Sequence, residues 1–152
     1  MNWLSISSGA FITAFALYCV AFLLYVIAVI GRKWKNREPE GHLRKWGRIA
    51  FVFSSLGLAA HLVFFFTRWA GAGHIPTSNM YEFLTLLGMA IMIAFTILFA
   101  IYRSPLLGMF ALPLTVLIIA YAAVFPQEVQ PLVPSLQSNW LRLHVTGAAL
   151  GE

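Results

Sequence analysis

Charge is scarce in this chain. Only 10% of its 152 residues are charged, and five are acidic, while 61% are hydrophobic and 15% aromatic. A soluble domain carries about 25% charged residues, so this balance excludes an ordinary soluble fold and points to a polytopic membrane protein. Cysteine is almost missing. Cys19 is the single one and lies inside an apolar run, which excludes an intrachain disulfide and a CxxC redox pair. A glycine-rich phosphate loop and an internal repeat are also absent. The first apolar run, Ala10–Gly31, has no basic residue before it and seven soon after. Its 22 residues exceed the apolar region of a cleavable signal and suit a spanning helix.

The charge that is present is concentrated. Seven of the ten Lys/Arg are Arg32, Lys33, Lys35, Arg37, Arg44, Lys45 and Arg48. A short basic stretch beside a span is held on the cytoplasmic side, next to anionic lipid. That accounts for the pI of 9.8 without nucleic acid, which is not expected as a partner.

The uncharged runs Ala10–Gly31, Ile49–Thr67, Phe83–Tyr102 and Ser104–Gln127 are each long enough to cross a bilayer. They place spans at about 10–31, 49–67, 83–102 and 104–125, all helical because backbone amides in lipid need internal partners. Pro113 is expected to kink the fourth span or mark a helix contact. The basic stretch puts the N-terminus outside, 32–48 inside, 68–82 outside, Arg103 inside and 126–143 outside. Eight basic residues then face the cytoplasm and two, Arg68 and Arg142, face out. Beyond Pro126, Pro131 and Pro134, Ser135 can cap an interfacial helix carrying Leu136, Trp140 and Leu143, and a fifth span begins near Val145. The expected fold is an all-α polytopic membrane protein with four spans plus the start of a fifth.

Candidate chemistry rests on histidine. His42 sits among the basic residues and reads as an ordinary loop residue. His61 lies inside the second span, where an ionisable group usually faces protein or a cavity. Ser54, Gly57, His61 and Arg68 share one narrow helical stripe. Gly57 leaves room a turn from the imidazole, and Arg68 lies about 10 Å beyond it at 1.5 Å per residue. The stripe admits two readings: haem held at His61 with its propionates toward Arg68, or an interhelical hydrogen bond. His74 and His144 both fall just outside the apolar boundary on the outer face, and two neutral imidazoles from two elements are one way to hold haem iron. Trp69, Tyr81 and Trp140 fit either a porphyrin face or an interfacial aromatic belt. Glu82 opens the third span as a helix-dipole partner or as a partner for Arg68.

Two longer segments carry a resemblance. Gly73-His74-Ile75-Pro76-Thr77-Ser78-Asn79-Met80-Tyr81-Glu82, followed by Leu136-Gln137-Ser138-Asn139-Trp140-Leu141-Arg142-Leu143-His144-Val145, closely resembles the CcsA/ResC (CcsB-type) haem-handling family of system II cytochrome c biogenesis. The resemblance covers most of the chain, including the basic stretch. It implies delivery of b-type haem to the outer face of the plasma membrane. There a ResB-like partner helps present the haem to the reduced CxxCH of apocytochrome c, and thioether bonds form. It implies a component of a cytochrome c synthase complex rather than a stand-alone enzyme. His144 matches the first of two axial histidines of the family's outer haem site. The resemblance assigns no ligand role to His61 or His74, and His61, His74, Arg68 and Trp140 stand as further candidates for holding haem on physical grounds alone. The family's tryptophan-rich segment is missing: Trp3, Trp34, Trp46, Trp69 and Trp140 are isolated. The second axial histidine is expected beyond residue 152. The chain therefore reads as the N-terminal part of a longer protein.

Two other classes compete. A membrane-anchor subunit of a quinone-linked respiratory enzyme would ligate a b haem through His61 and needs a second intramembrane histidine. A cofactor-free transporter or scaffold needs polar residues or broken helices at the midplane.

Overall fold

The computed structural model describes residues 3–34 and 39–128, together with His144, Gly147, Ala148 and Gly151. Four helices account for nearly all of it: α1 Trp3–Trp34, α2 Pro39–Ala72, α3 Met80–Tyr102 and α4 Pro105–Ala122. All four are long and apolar enough to cross a membrane, and no strand occurs among the described residues. At 1.5 Å per residue α1 and α2 run to about 50 Å, well past a hydrocarbon core of about 30 Å. This is a multi-pass membrane protein, and its outward surface fits: Ile12, Leu23, Phe66, Phe110 and Leu117 all lie exposed around the bundle. On a protein placed in water such a surface would be an aggregation hazard; in lipid it is neutral.

The helices outrun the spans expected from apolar runs. α1 begins seven residues before Ala10, and α2 runs straight through Arg44, Lys45 and Arg48. Those basic residues are thus helical rather than loop. Charge ends an apolar run but not a ladder of backbone hydrogen bonds, because Lys and Arg are good helix formers. Pro113 lies inside a continuous α4. The expected helix from Ser135 and span from Val145 lie almost wholly outside the described residues.

α1 and α2 form an antiparallel pair. Trp3 and Leu4 lie against Gly71 at one end, and His42 lies against Gly31 at the other. The buried positions of α1 are Ser7, Phe11, Ala14, Tyr18, Ala21, Tyr25 and Ala28. Those of α2 are Gly47, Ala50, Ser54, Gly57, His61, Phe64 and Arg68. Both series step by three and four in alternation, the seven-residue seam of knobs-into-holes packing. Large α1 rings meet small partners. A Cβ at Gly57 would sit 2.7 Å from the Tyr18 ring, and one at Gly108 of α4 would sit 2.5 Å from the Tyr25 ring. Close approach through small residues is the main packing device available where lipid removes the hydrophobic drive between helices.

The turns follow from local chemistry. Gly73 adopts φ 72° and its N–H returns to the Trp69 carbonyl at 2.9 Å, closing α2 with a left-handed cap. Asn79 caps α3: its Oδ1 accepts from the Glu82 N–H at 2.9 Å. Arg103 ends α3 at φ 50°, its N–H bonded to the Phe99 carbonyl at 2.8 Å. Ser104 is then extended, as a residue before proline must be, and Pro105 starts α4. One end of the bundle therefore holds the α2–α3 turn and the tail of α4. The opposite end holds the α3–α4 turn and the basic part of α2.

Candidate functional site

The turn end is built around a buried ion pair. Arg68, 4% exposed, donates from Nε to Glu82 Oε1 at 2.9 Å, and Glu82 is itself 1% exposed. Arg68 Nη2 donates to the Gln127 carbonyl at 2.7 Å, and its guanidinium lies 4.9 Å over the Tyr81 ring. The second carboxylate oxygen, Glu82 Oε2, accepts from the Ser78 N–H at 2.9 Å and the Ser78 hydroxyl at 2.8 Å. Asn79 donates from Nδ2 to the Glu128 carbonyl at 3.2 Å. Each charge thus meets several partners, the condition under which an ion pair survives burial. The network ties the end of α2, the 73–79 turn, the start of α3 and the chain after α4 into one rigid unit. Of the two roles open to Glu82, it performs both: it sits in the first turn of α3 and pairs with Arg68.

His74 stands on this unit. Its Nδ1 lies 3.0 Å from the Ile75 carbonyl, and its Nε2 is buried without a partner. A carbonyl only accepts, so Nδ1 carries the proton in this contact, and in the neutral ring the lone pair is then on Nε2. A ring fixed in this way by a backbone carbonyl is what a metal-binding imidazole requires.

His61 is 1% exposed on the seam of α2, and the predicted stripe of Ser54, Gly57, His61 and Arg68 is buried along its length. His61 Nδ1 lies 3.3 Å from Tyr18 Oη of α1, and its Nε2 has no partner. The room that Gly57 leaves is taken by the Tyr18 ring. Phe64 packs on the other side at 5.8 Å between centroids. The interhelical hydrogen bond expected as one reading of His61 is therefore present. No other histidine among the described residues is fully buried.

His144 is exposed. Trp140 lies outside the described residues. Among the described residues no group of three metal-ligating side chains converges. Arg68 and Glu82 are brought together; His61 stands apart from them, on the helix seam. Sequence reasoning missed Tyr18, Ser78 and Asn79. The spacing of Asn79 and Glu82, a capping residue followed three positions later by an acid, signals a capping box. Tyr18 carries no local signal, because its partner comes from another helix.

The chain is 32% identical to the cytochrome c biogenesis protein CcsA of Trieres chinensis over 152 residues, covering 96% of this chain and 46% of that protein. It is 40% identical to CcsA of Synechococcus sp. (strain JA-3-3Ab) over 66% of this chain and 34% of the relative. CcsA of Prochlorococcus marinus (strain NATL2A) is 38% identical over 83% of this chain and 40% of the relative. The chain is a CcsA homologue. It spans between a third and a half of the length of these CcsA relatives. No family model and no solved structure matches it.

Proposed function

We propose that this protein serves cytochrome c biogenesis by holding b-type haem at the turn end of the bundle, on the extracytoplasmic face, for transfer to apocytochrome c. The observation that carries this reading is His74. A CcsA homologue presents there an imidazole with a pinned Nδ1 proton and a free Nε2 lone pair, on a turn locked by Arg68 and Glu82. His144 supplies the axial imidazole expected from its motif, with Trp140 beside the porphyrin face. Among the described residues Arg32, Lys33, Arg44, Lys45, Arg48 and Arg103 lie at or near the opposite end, which supports an outward-facing turn end. Bound haem supplies the carbons that accept the reduced CxxCH thiols. The protein's own part is to hold and orient, with a ResB-like partner completing the assembly.

The anchor-subunit alternative is not favoured. It needs a cavity and a second buried imidazole facing His61. Tyr18 fills the space beside His61, and no second buried histidine occurs among the described residues.

The test is cytochrome c maturation in cells lacking the native protein, read by haem staining of denatured cytochrome. His144→Ala is expected to abolish staining and His74→Ala to reduce it at least tenfold, with His61→Phe close to wild type. Full maturation in both His144→Ala and His74→Ala would refute the proposed site.

A further inference from the structure

The end opposite the ion pair carries a second arrangement of arginines. Arg44 and Arg48 stand one turn apart on α2, and Arg103 caps α3. All three line one cavity of about 590 Å³, together with Phe51, Phe99 and Ala100. The rings of Phe51 and Phe99 stack at 4.3 Å and 12°, giving the cavity an aromatic wall between α2 and α3. Among the described residues the one ion pair is Arg68–Glu82, so these three guanidinia have no acidic partner there. The adjoining start of α4 adds to the field. Its N-cap, Ser104, makes no side-chain cap, and a helix N-terminus favours an anion. Arg103 also holds φ 50°, a left-handed conformation in which glycine would be at ease. A bulky cation is thus kept at a strained cap beside two others.

We propose that this cavity binds the headgroup of an anionic phospholipid, with the phosphate among Arg44, Arg48 and Arg103 and an acyl chain along Phe51, Phe99 and Ala100. The chemistry selects this occupant. A free inorganic anion uses the guanidinia but not the aromatic wall, and a zwitterionic lipid sets its own cation against three more. An anion joined to an apolar chain satisfies both halves, and the bilayer supplies it at the ends of membrane-spanning helices. The site lies at the far end of the bundle from His74 and does not depend on the haem proposal.

The test is native mass spectrometry of the intact detergent-solubilised protein, titrated with phosphatidylglycerol or with phosphatidylcholine. Wild type is expected to retain one phosphatidylglycerol at least tenfold more tightly than phosphatidylcholine. The variant Arg44→Gln/Arg48→Gln/Arg103→Gln is expected to lose that preference. A charge-matched control, Lys33→Gln/Lys35→Gln/Arg37→Gln, is expected to keep it within about twofold. Circular dichroism reports whether each variant remains helical. If the triple variant fails to fold, the wild-type preference decides alone. Equal retention of the two lipids by wild type overturns the proposal. So does an equal loss in both variants, which would reduce the effect to net charge. Displacement of phosphatidylglycerol by stoichiometric haemin would overturn the lipid as occupant.

Discussion

The two ends of this bundle use arginine in opposite ways. At the turn end Arg68 is buried, bonded to Glu82 and to the Gln127 carbonyl, and laid over Tyr81. At the basic end Arg44, Arg48 and Arg103 are exposed around an apolar cavity. A guanidinium paired with a buried carboxylate and a backbone carbonyl acts as a clamp, its charge compensated within the protein. Guanidinia that face a cavity with no such partner among the described residues keep their hydrogen-bonding capacity for something that arrives. The same contrast separates the histidines. His61 is packed between Tyr18 and Phe64 on the seam, whereas His74 has its Nδ1 fixed and its Nε2 free beside a turn.

The largest way to break this comparison is to open the clamp. Glu82→Gln leaves a buried guanidinium without its counter-charge and is expected to cost about 3–5 kcal/mol, read by SDS unfolding followed by circular dichroism. The paired change Arg68→Met/Glu82→Leu is expected to restore much of that loss, since apolar packing replaces a buried ion pair well. Next comes the seam. Gly57→Val places a Cβ 2.7 Å from the Tyr18 ring and is expected to cost about 1–3 kcal/mol in the same assay.

Arg103→Gly sharpens the contrast through its sign. Removing the left-handed strain is expected to stabilise the fold by about 1 kcal/mol while weakening retention of phosphatidylglycerol. The smallest effect is expected from Tyr18→Phe, which removes one interhelical hydrogen bond, worth about 0.6 kcal/mol in membrane proteins. It is expected to leave haem binding unchanged, as measured by absorption of the purified protein.

The four spans were legible because lipid enforces long uncharged helical runs. Their ends were not. The apolar run stops at Ile49, yet α2 continues back to Pro39, since backbone bonding tolerates Arg44 and Lys45. The burial of Ser54, Gly57, His61 and Arg68 on one stripe followed from helical period alone. The filling of the Gly57 gap by Tyr18 did not, because the register of α1 against α2 is a tertiary property. The Arg68–Glu82 pair was legible as one of two options, but its support from Ser78, Asn79 and the chain after α4 was hidden by sequence distance. Local pattern gives a helix its faces; only packing gives a face its neighbour.

The most direct test of the functional account is the haem absorption spectrum of the purified, detergent-solubilised protein, compared with His144→Ala, His74→Ala and His61→Ala. The account predicts a low-spin bis-histidine spectrum in wild type, lost in His144→Ala, weakened in His74→Ala and retained in His61→Ala. A spectrum that survives both His144→Ala and His74→Ala and disappears only in His61→Ala would contradict it and move the haem into the membrane interior.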